Sequence, residues 1–524
     1  MLLNRDSTTA DNCRQLPLTQ RKVTASWTPL QTAIANSLQV AKHNTSSSCW
    51  VIIHNTVYDV TDFLSAHPGG AKAILSLAGQ DATEEYDPIH PPGTLEESLE
   101  KSQILGPVDP STIITITPTP SLSSSPSEKD KARDGIPPLA EQLNLDDFAI
   151  TAEKVLSPKA WAYYFSASDD QLTKRHNNTA YQQILLRPRI FKDVRNVDTR
   201  TTMCSSSVAF PVFVAPAAMA RLAHPSGEAG IAEACGREGV LQCVSTNASL
   251  KPEQVMAGRV SDKQPSWFQL YVQEDRRKSE ALLKRVGTLG FTAVVLTLDA
   301  PTPGKREADE RAKNAGNITS ATFGESMQGK SESGGLGKAL FAGTTPSLTW
   351  EDLEWLRKHT RLPIILKGLQ THEDAAMAAR KEVLELGVTG IILSNHGGRA
   401  ADTAPPPVYV LMEIRKYAPE VFDKLEVYVD GGIRRGTDVV KALCLGAKAV
   451  GIGRPALFGL SGYGVDGVRR VLAILREEIE TTMRLLGVYS VGELGSRHIN
   501  TRALDGLIYQ EPQELSGGVI KAKL

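Results

Sequence analysis

The chain has no apolar run long enough to cross a bilayer, since a spanning helix needs about 20 such residues in succession. It has no surplus of either charge: 58 Lys and Arg stand against 59 Asp and Glu, a formal net charge of -1. That balance offers no broad basic field to nucleic acid, so nucleic acid is excluded as the expected partner. Cysteine is scarce. Six are scattered at positions 13, 49, 204, 235, 243 and 444, and no two form a CxxC pair. A disulfide framework and a cysteine-based zinc site are excluded, and a reducing compartment with the thiols as core filler is the expectation. What remains is a globular composition, 41% hydrophobic and 22% charged. The length of 524 residues predicts two to four domains.

The ends carry two address-like features. Residues 1–40 hold Arg5, Arg14, Arg21 and Lys22 among Ser and Thr, interrupted by Asp6 and Asp11. This reads as a disordered tail or a targeting segment. A second tail, 511–524, closes on Ala522-Lys523-Leu524, a conservative variant of the Ser-Lys-Leu peroxisomal address. Between them, "PVDPSTIITITPTPSLSSSPSEKDKARDG" (107–135) is rich in Pro and Ser and then in charge. It cannot bury a core and reads as a linker. The predicted organisation is a small module at 41–108, a linker at 109–140 and a large module at 141–510.

The large module alternates short apolar runs with helix-like stretches. The runs are "PVFVAPA" (211–217), "VLQCVS" (240–245), "SWFQLYV" (266–272), "TAVVLTLD" (292–299), "LPIILKG" (362–368), "GIILSN" (390–395), "LEVYVDGG" (425–432) and "AVGIGRP" (449–455). Helical periodicity follows at 372–387 and 436–448, among others. Continuous apolar strands alternating with helices mean a parallel sheet with its outer face covered. Eight such units predict a (β/α)8 TIM barrel, an α/β fold. A doubly wound open sheet is the competing architecture. The barrel is preferred because polar residues close nearly every run rather than gathering at one switch point. The connection at 311–343 is long and rich in Gly and Ser, the mark of a lid or an excursion.

Barrel enzymes carry their chemistry at the C-terminal ends of the strands. Those ends supply Ala217 and Ala218, Ser245, Gln269 and Tyr271, Thr297 and Asp299, Lys367, His396 and Arg399, Asp430, Gly432 and Arg434, and Gly453 and Arg454. "DGGIRRGTD" and "GIGRP" each lead into a helix on the last two strands. Their glycines let backbone amides approach an anion, and Arg434 and Arg454 can add charge-assisted bonds, so a phosphate site is expected there. A phosphate-bearing cofactor across the barrel mouth follows. On these residues alone it is either a flavin, with Lys367 near its electron-poor end, or pyridoxal phosphate held as a Schiff base. His396 with Asp299 forms a held base, and Arg399 presents a planar fork to a carboxylate. The implied substrate is a small carboxylic acid with a proton to lose nearby.

"YYFSASDDQ", "FQLYV", "TLDAPTPGKREAD", "LPIILKG", "SNHGGR" and "DGGIRRGTDVVKALCLGAKAVGIGRP" together resemble the FMN-dependent α-hydroxy acid dehydrogenase and oxidase family over about 145–510. The resemblance implies FMN as cofactor. It also implies that His396 removes a proton from a 2-hydroxy acid while Asp299 stabilises the imidazolium. Arg399 and Tyr163 would hold the carboxylate, Tyr271 would meet the hydroxyl and Arg306 would lie close to the substrate. Lys367 would steady reduced FMN. Ala217, Ala218, Ser245, Gln269 and Thr297 would line the flavin, and Arg434 and Arg454 would take its phosphate. Two departures stand out. Asn247 falls where an apolar residue usually lines the substrate side chain. Ala400 and Ala401 also replace bulk just after Arg399, which would loosen that loop.

In the small module, aromatic and β-branched residues alternate before His67-Pro68-Gly69-Gly70, and His90 follows a helical stretch. Two histidines on separate loops facing an apolar pocket suit bis-imidazole haem ligation or another metal. Phe63, Leu64, Ile74, Leu75 and Tyr86 are candidates for the pocket wall. With "VYDVTDFL" and "AGQDAT" the segment resembles a cytochrome b5-like domain, an α+β fold, which implies haem b on His67 and His90.

A haem module, a linker and an FMN barrel in that order resemble the fungal flavocytochrome branch of the family. The branch implies oxidation of an L-2-hydroxy acid, L-lactate or a relative, with electrons leaving through haem to cytochrome c or another one-electron acceptor. It also implies a homotetramer, and a mitochondrial intermembrane space location that competes with the peroxisomal tripeptide. The alternative expectations are an oxygen-using peroxisomal oxidase and a catalytically silent haem and flavin redox sensor.

Overall fold

The computed structural model describes residues 37–67, 70–87, 89–90, 92–109, 135–312, 318–323, 326–327 and 335–511. Most of the predicted N-terminal tail and of the linker lies outside the described residues. So do Cys13, the turn residues Pro68 and Gly69, Pro91, and Ala522-Lys523-Leu524.

The small unit is built on a four-stranded antiparallel sheet of Asn44–Thr45, Ser48–Ile53, Thr56–Asp59 and Ile104–Pro107. Its central hairpin turns through His54 and Asn55, with φ of 51° and 58°. A two-residue turn with both residues left-handed matches the natural twist of the strands it joins. Short helices Ala71–Leu75, Thr83–Tyr86 and Thr94–Ser98 lie beyond the sheet. Val51, Ile53, Tyr58 and Leu64 form an apolar cluster with Phe63, Ile74, Leu75 and Tyr86, the predicted wall residues. Ser37–Val40 is a helical turn, and Val40 is fully buried against Ile52, Val57 and Val108. The packed unit therefore takes in the last four residues of the predicted tail.

The eight predicted runs all form strands: Val212–Val214 (β1), Leu241–Val244 (β2), Ser266–Leu270 (β3), Ala293–Thr297 (β4), Ile364–Leu369 (β5), Val388–Leu393 (β6), Glu426–Asp430 (β7) and Ala449–Ile452 (β8). They are parallel and close into one barrel in chain order. Nearly every residue in them is buried. Inward side chains fill the barrel and outward ones meet helices, which is why the runs read as continuous rather than alternating. In β3, Trp267 points into an interior layer with Phe213, Tyr428 and Val295, while Phe268 and Leu270 join the outer layer. A hairpin of Thr201–Met203 and Ser206–Val208 closes the bottom by adding Met203 and Val208 to the interior layer.

Two stretches differ from expectation in detail. The single helix predicted at 372–387 is two, His372–Ala378 and Lys381–Glu385. Arg380 is extended between them, and Ala378, Ala379 and Val383 all reach the core. The described end of the predicted linker belongs to the large unit. Leu139–Glu141 is a 3-10 turn, and the Pro137 carbonyl accepts the Tyr463 hydroxyl at 2.5 Å. Cys49, Cys235, Cys243 and Cys444 are buried thiols, as expected of core filler.

Trp267 is fully buried, with Tyr428 and Phe213 rings 5.2 and 5.3 Å away. Trp267→Ala leaves a void that a closed barrel cannot collapse into. It should destabilise the barrel by about 3–5 kcal/mol, read as a lowered urea midpoint.

Candidate active site and histidine pair

The mouth of the barrel holds a cavity of about 490 Å³, within the range of sites that enclose a cofactor-sized ligand. Strand β7 ends at Asp430, and Gly431 and Gly432 then turn with φ of 89° and 81°. Only glycine fits the second position, because a Cβ there would lie 2.1 Å from the Asn177 carbonyl oxygen. Helices Gly436–Cys444 (α1) and Arg454–Leu486 (α2) start just beyond β7 and β8. Arg434 and Arg454 both line the cavity but differ in what they have left to give. Nη1 of Arg434 is buried without a hydrogen-bond partner among the described residues. Arg454 donates through Nε to the Tyr164 carbonyl, through Nη1 to Gly397 and through Nη2 to Ser166, at 2.8, 3.0 and 2.9 Å. Arg434 is thus the arginine with a free hand for an anion. Arg454 contributes its charge while tying the turn after β6 in place.

At the centre of the mouth, polar groups face the cavity unpaired. Gln269 accepts from the Thr246 backbone N–H at 3.1 Å and from the Ser245 hydroxyl at 3.3 Å, and its Nε2 has no partner among the described residues. The Thr297 hydroxyl is likewise buried and unpaired among them. Ala217, Ala218, Ser245, Gly432 and Gly453 complete the lining. Buried polar groups without partners are costly and rare, so several converging on one cavity mark a ligand's place. A glycine turn, an arginine with a free Nη1, amide and hydroxyl donors and a buried ammonium fit FMN, from phosphate to ring. Lys367 is that ammonium. Its Nζ donates to the Ser394 hydroxyl at 2.6 Å and lies 3.7 Å from Asp299 and 3.4 Å from Asp430. Burial alone would strip its proton, but the two carboxylates outweigh burial and raise its pKa.

The reacting end is built around His396. Its Nδ1 is 2.9 Å from Oδ1 of Asp299, and its Nε2 is 3.3 Å from the Tyr271 hydroxyl. Burial opposes ionisation of Asp299, yet the charges of Lys367 and His396 prevail and hold its pKa at about 2. Gly368 makes this contact possible. It bulges from β5 with φ of 106°, and a Cβ there would sit 2.6 Å from Asp299. His396 itself has φ of 59°, a sparsely used conformation that functional sites tolerate when the surroundings over-determine it. Here Ser394 accepts the His396 backbone N–H at 3.1 Å.

Arg399 donates through Nη2 to the carbonyls of Tyr163 and Tyr164, at 2.8 and 2.6 Å. Its buried Nε has no partner among the described residues, which leaves that donor available. The guanidinium carbons of Arg399 and Arg306 lie 5.3 and 5.2 Å from the centre of the Tyr163 ring. The loop after Arg399 is not loosened by Ala400 and Ala401. Asp402 ties it down by accepting the Thr173 and Leu172 backbone N–H groups at 2.8 and 3.2 Å. Asn247 lines the cavity, but its Nδ2 donates to the Leu340 carbonyl at 3.0 Å. Much of its polarity therefore goes to holding Leu336–Leu340, the described end of the predicted lid. Asp309 accepts the N–H groups of Leu336 and Gly337 and pairs with Arg306 at 3.4 Å.

In the small unit the His67 and His90 ring centres are 6.1 Å apart. Nδ1 of His67 meets the Gly70 carbonyl at 3.3 Å and Nδ1 of His90 the Tyr86 carbonyl at 3.1 Å. Both Nε2 atoms are thereby left for a metal, with the opposite nitrogens anchored as ligating histidines require. Two metal–imidazole bonds of about 2 Å each fill a separation of this size. Burial lowers the pKa of both rings, that of His90 to about 4, so each is a neutral ligand. Tyr86 stacks on His90 at 4.2 Å and Phe63 meets His67 edge-on at 5.7 Å. The pair fits haem.

Several site residues carried no sequence signal. Ser394 orients both Lys367 and His396. Asp309 and Leu340 fasten the lid, and Arg221 reaches from the β1 loop to the His90 carbonyl at 2.9 Å. None of these pairings has a fixed spacing that a one-dimensional reading could detect.

Residues 152–501 match the family profile described as FMN-dependent dehydrogenase. Residues 37–109 match the cytochrome b5-like heme/steroid binding domain. The chain is 43% identical over 465 residues, 87% of this chain and 78% of the other, to L-lactate dehydrogenase (cytochrome) of Saccharomyces cerevisiae. It is 40% identical over 365 residues, 68% of this chain and 96% of the other, to a peroxisomal (S)-2-hydroxy-acid oxidase of Oryza sativa subsp. japonica. A mutant flavocytochrome b2 with pyruvate bound superposes with a TM-score of 0.64 at 41% identity, covering 76% of this chain and 97% of the other. If His67 and His90 are both ligands, alanine at either should abolish the haem absorption of the purified protein. The flavin band should stay unchanged.

Proposed function

This chain belongs to the FMN-dependent dehydrogenase family, and we propose that it oxidises L-lactate, or a 2-hydroxy acid close to it, with cytochrome c as the external acceptor. Bound FMN supplies a two-electron acceptor, and bound haem on the cytochrome b5-like unit supplies a one-electron carrier. The observation that carries the reading is the His396–Asp299 pair, with the unpaired Nε of Arg399 and the Tyr271 hydroxyl in the same cavity.

The substrate carboxylate sits on Arg399 and Tyr163, with Arg306 beside the same ring adding positive potential. That leaves the hydroxyl-bearing carbon toward Tyr271 and His396. Nε2 of His396 takes a proton from the substrate, and Asp299 stabilises the imidazolium through Nδ1. Because Asp299 is ionised and buried, its stabilisation is already present before the proton arrives and costs no reorganisation. Lys367 holds positive charge where the reduced cofactor gains negative charge. Loss of two protons and two electrons converts the hydroxy acid into the 2-oxo acid.

Asn247, Leu340 and Phe341 border the space for the substrate side chain. With the Asn247 amide bonded to Leu340, this wall suits a small apolar group such as the lactate methyl. A second reading has oxygen as acceptor in a peroxisome, and the 40% identity to a peroxisomal oxidase favours it. The acceptor decides the compartment: exit through haem goes with cytochrome c in the mitochondrial intermembrane space. Cytochrome c reduction and oxygen consumption by the purified protein, measured side by side, separate the two. A homotetramer is proposed on the family resemblance, and light scattering reads its mass.

His396→Ala should slow flavin bleaching by L-lactate about 10²- to 10⁴-fold with bound FMN unchanged. A substrate panel in which no L-2-hydroxy acid bleaches the flavin would sink the reading. The pH dependence follows from Asp299. Its folded pKa of about 2 lies below the usual carboxylate value of about 3.9. The stability it contributes is therefore complete above that value and is lost as pH falls through about 2. At neutral pH, where Asp299 is ionised, Asp299→Asn should slow flavin bleaching by L-lactate with bound FMN unchanged. Bleaching at the wild-type rate would remove Asp299 from the mechanism.

A further inference from the structure

The loop after β1 faces the flavin on one side and the haem unit on the other. Its flavin side is the backbone of Ala217 and Ala218. Four residues on, Arg221 turns the other way, and its side chain is only 8% exposed. Nη1 donates to the His90 carbonyl at 2.9 Å, and Nη2 lies 3.4 Å from Oδ1 of Asp87. Asp87 is itself paired with His54 at 2.8 Å. Both Arg221 partners therefore belong to the segment that presents the second haem ligand.

The barrel side of this contact is rigid. Glu228, 1% exposed, accepts the backbone N–H groups of Ala220 and Ser249, each at 2.9 Å, and the Ser249 hydroxyl at 2.7 Å. That hydroxyl oxygen accepts the Arg221 backbone N–H at 3.0 Å. The Tyr164 hydroxyl donates to the Met219 carbonyl at 2.5 Å. A single carboxylate thus organises the loop, and the loop carries one buried cation to the haem segment. A second ion pair between the units is of a different kind. Lys251 meets Glu97 at 3.1 Å, but Glu97 is 69% exposed, so water and salt weaken it.

Resting on the reading that electrons pass from flavin to haem, we propose that Arg221 is the positioning residue that docks the haem segment onto the flavin loop and tunes the haem toward its reduced state. The electron step moves no atom: reduced flavin loses one electron, and ferric haem gains it and becomes ferrous. A buried cation beside the ligand loop stabilises the form with the extra electron, and the partly exposed Asp87 carboxylate does the opposite. Arg221 and Asp87 therefore act together in docking but oppose each other in potential. A purely structural contact would not show that combination.

The test uses the full-length protein loaded with both cofactors, as wild type, Arg221→Met, Asp87→Asn and the double variant. After mixing with L-lactate without oxygen, flavin bleaching should be equal in all four. Haem reduction should be about ten- to hundredfold slower in each single variant, the worth of a charge-assisted bond. The double variant should be no slower than the worse single, as for two ends of one interaction. The haem midpoint potential should fall in Arg221→Met and rise in Asp87→Asn. Amide exchange of Asp87, Ile89 and His90 should quicken in both. Haem reduction at the wild-type rate in Arg221→Met, or a potential that moves the same way in both single variants, overturns the proposal. Photoreducing the flavin in place of adding L-lactate keeps this test separate from that of the substrate. Wild-type haem that reduces only after photoreduction would count against the substrate reading and leave the Arg221 comparison intact.

Discussion

A buried carboxylate held between an ammonium and an imidazole organises the whole barrel mouth. Asp299 touches His396 through one oxygen and Lys367 through the other, so three neighbouring strand ends share one charge network. In water such a chain would be worth little. Out of water each member makes the others tolerable, because an isolated buried charge costs far more than a paired one. Parallel strand register sets the network: Thr297 at the end of β4 lies opposite Lys367 on β5. The bulge at Gly368 then gives Asp299 the room it needs.

The same economy governs the arginines. Five arginines line the cavity, and burial and mutual repulsion lower the pKa of Arg399 and Arg454. The fold keeps such charges by spending their donors on backbone carbonyls. Arg454 donates to three and Arg399 to two, the Tyr164 carbonyl being shared, with the Arg399 Nε left over among the described residues. Positive charge is thereby stored around the cavity, and the unpaired donors of Arg399 and Arg434 aim it inward. Arg221 extends this pattern across the boundary between the two units, where a barrel cation caps a carbonyl of the haem segment.

Much of this was legible in one dimension. All eight strands were visible, because residues buried on both faces leave an uninterrupted apolar run. The strand-end residues were visible because a barrel places its functional groups at that end of each strand. His67 and His90 were visible as a pair in the context of their motifs. Other features were not. Arg434 and Arg454 look alike in the sequence, yet only Arg434 has a buried donor unpaired. Ala400 and Ala401 suggested a loose loop, but Asp402 two residues later ties it to Leu172 and Thr173. Asn247 suggested a polar pocket, whereas its amide largely serves the lid.

The sequence by itself determined the two-unit organisation, the strand order and the chemical inventory of both sites. These depend on periodicity, composition and residue type, which are local properties of a chain. Only the tertiary structure decided which donors are spent and which are free, how the lid is fastened, and where the haem segment meets the barrel. Each of those rests on partners far apart in the chain: Asn247 with Leu340, Arg454 with Tyr164, Arg221 with His90. A hydrogen bond is defined by distance and direction in space, and neither is written in the spacing of residues along the chain.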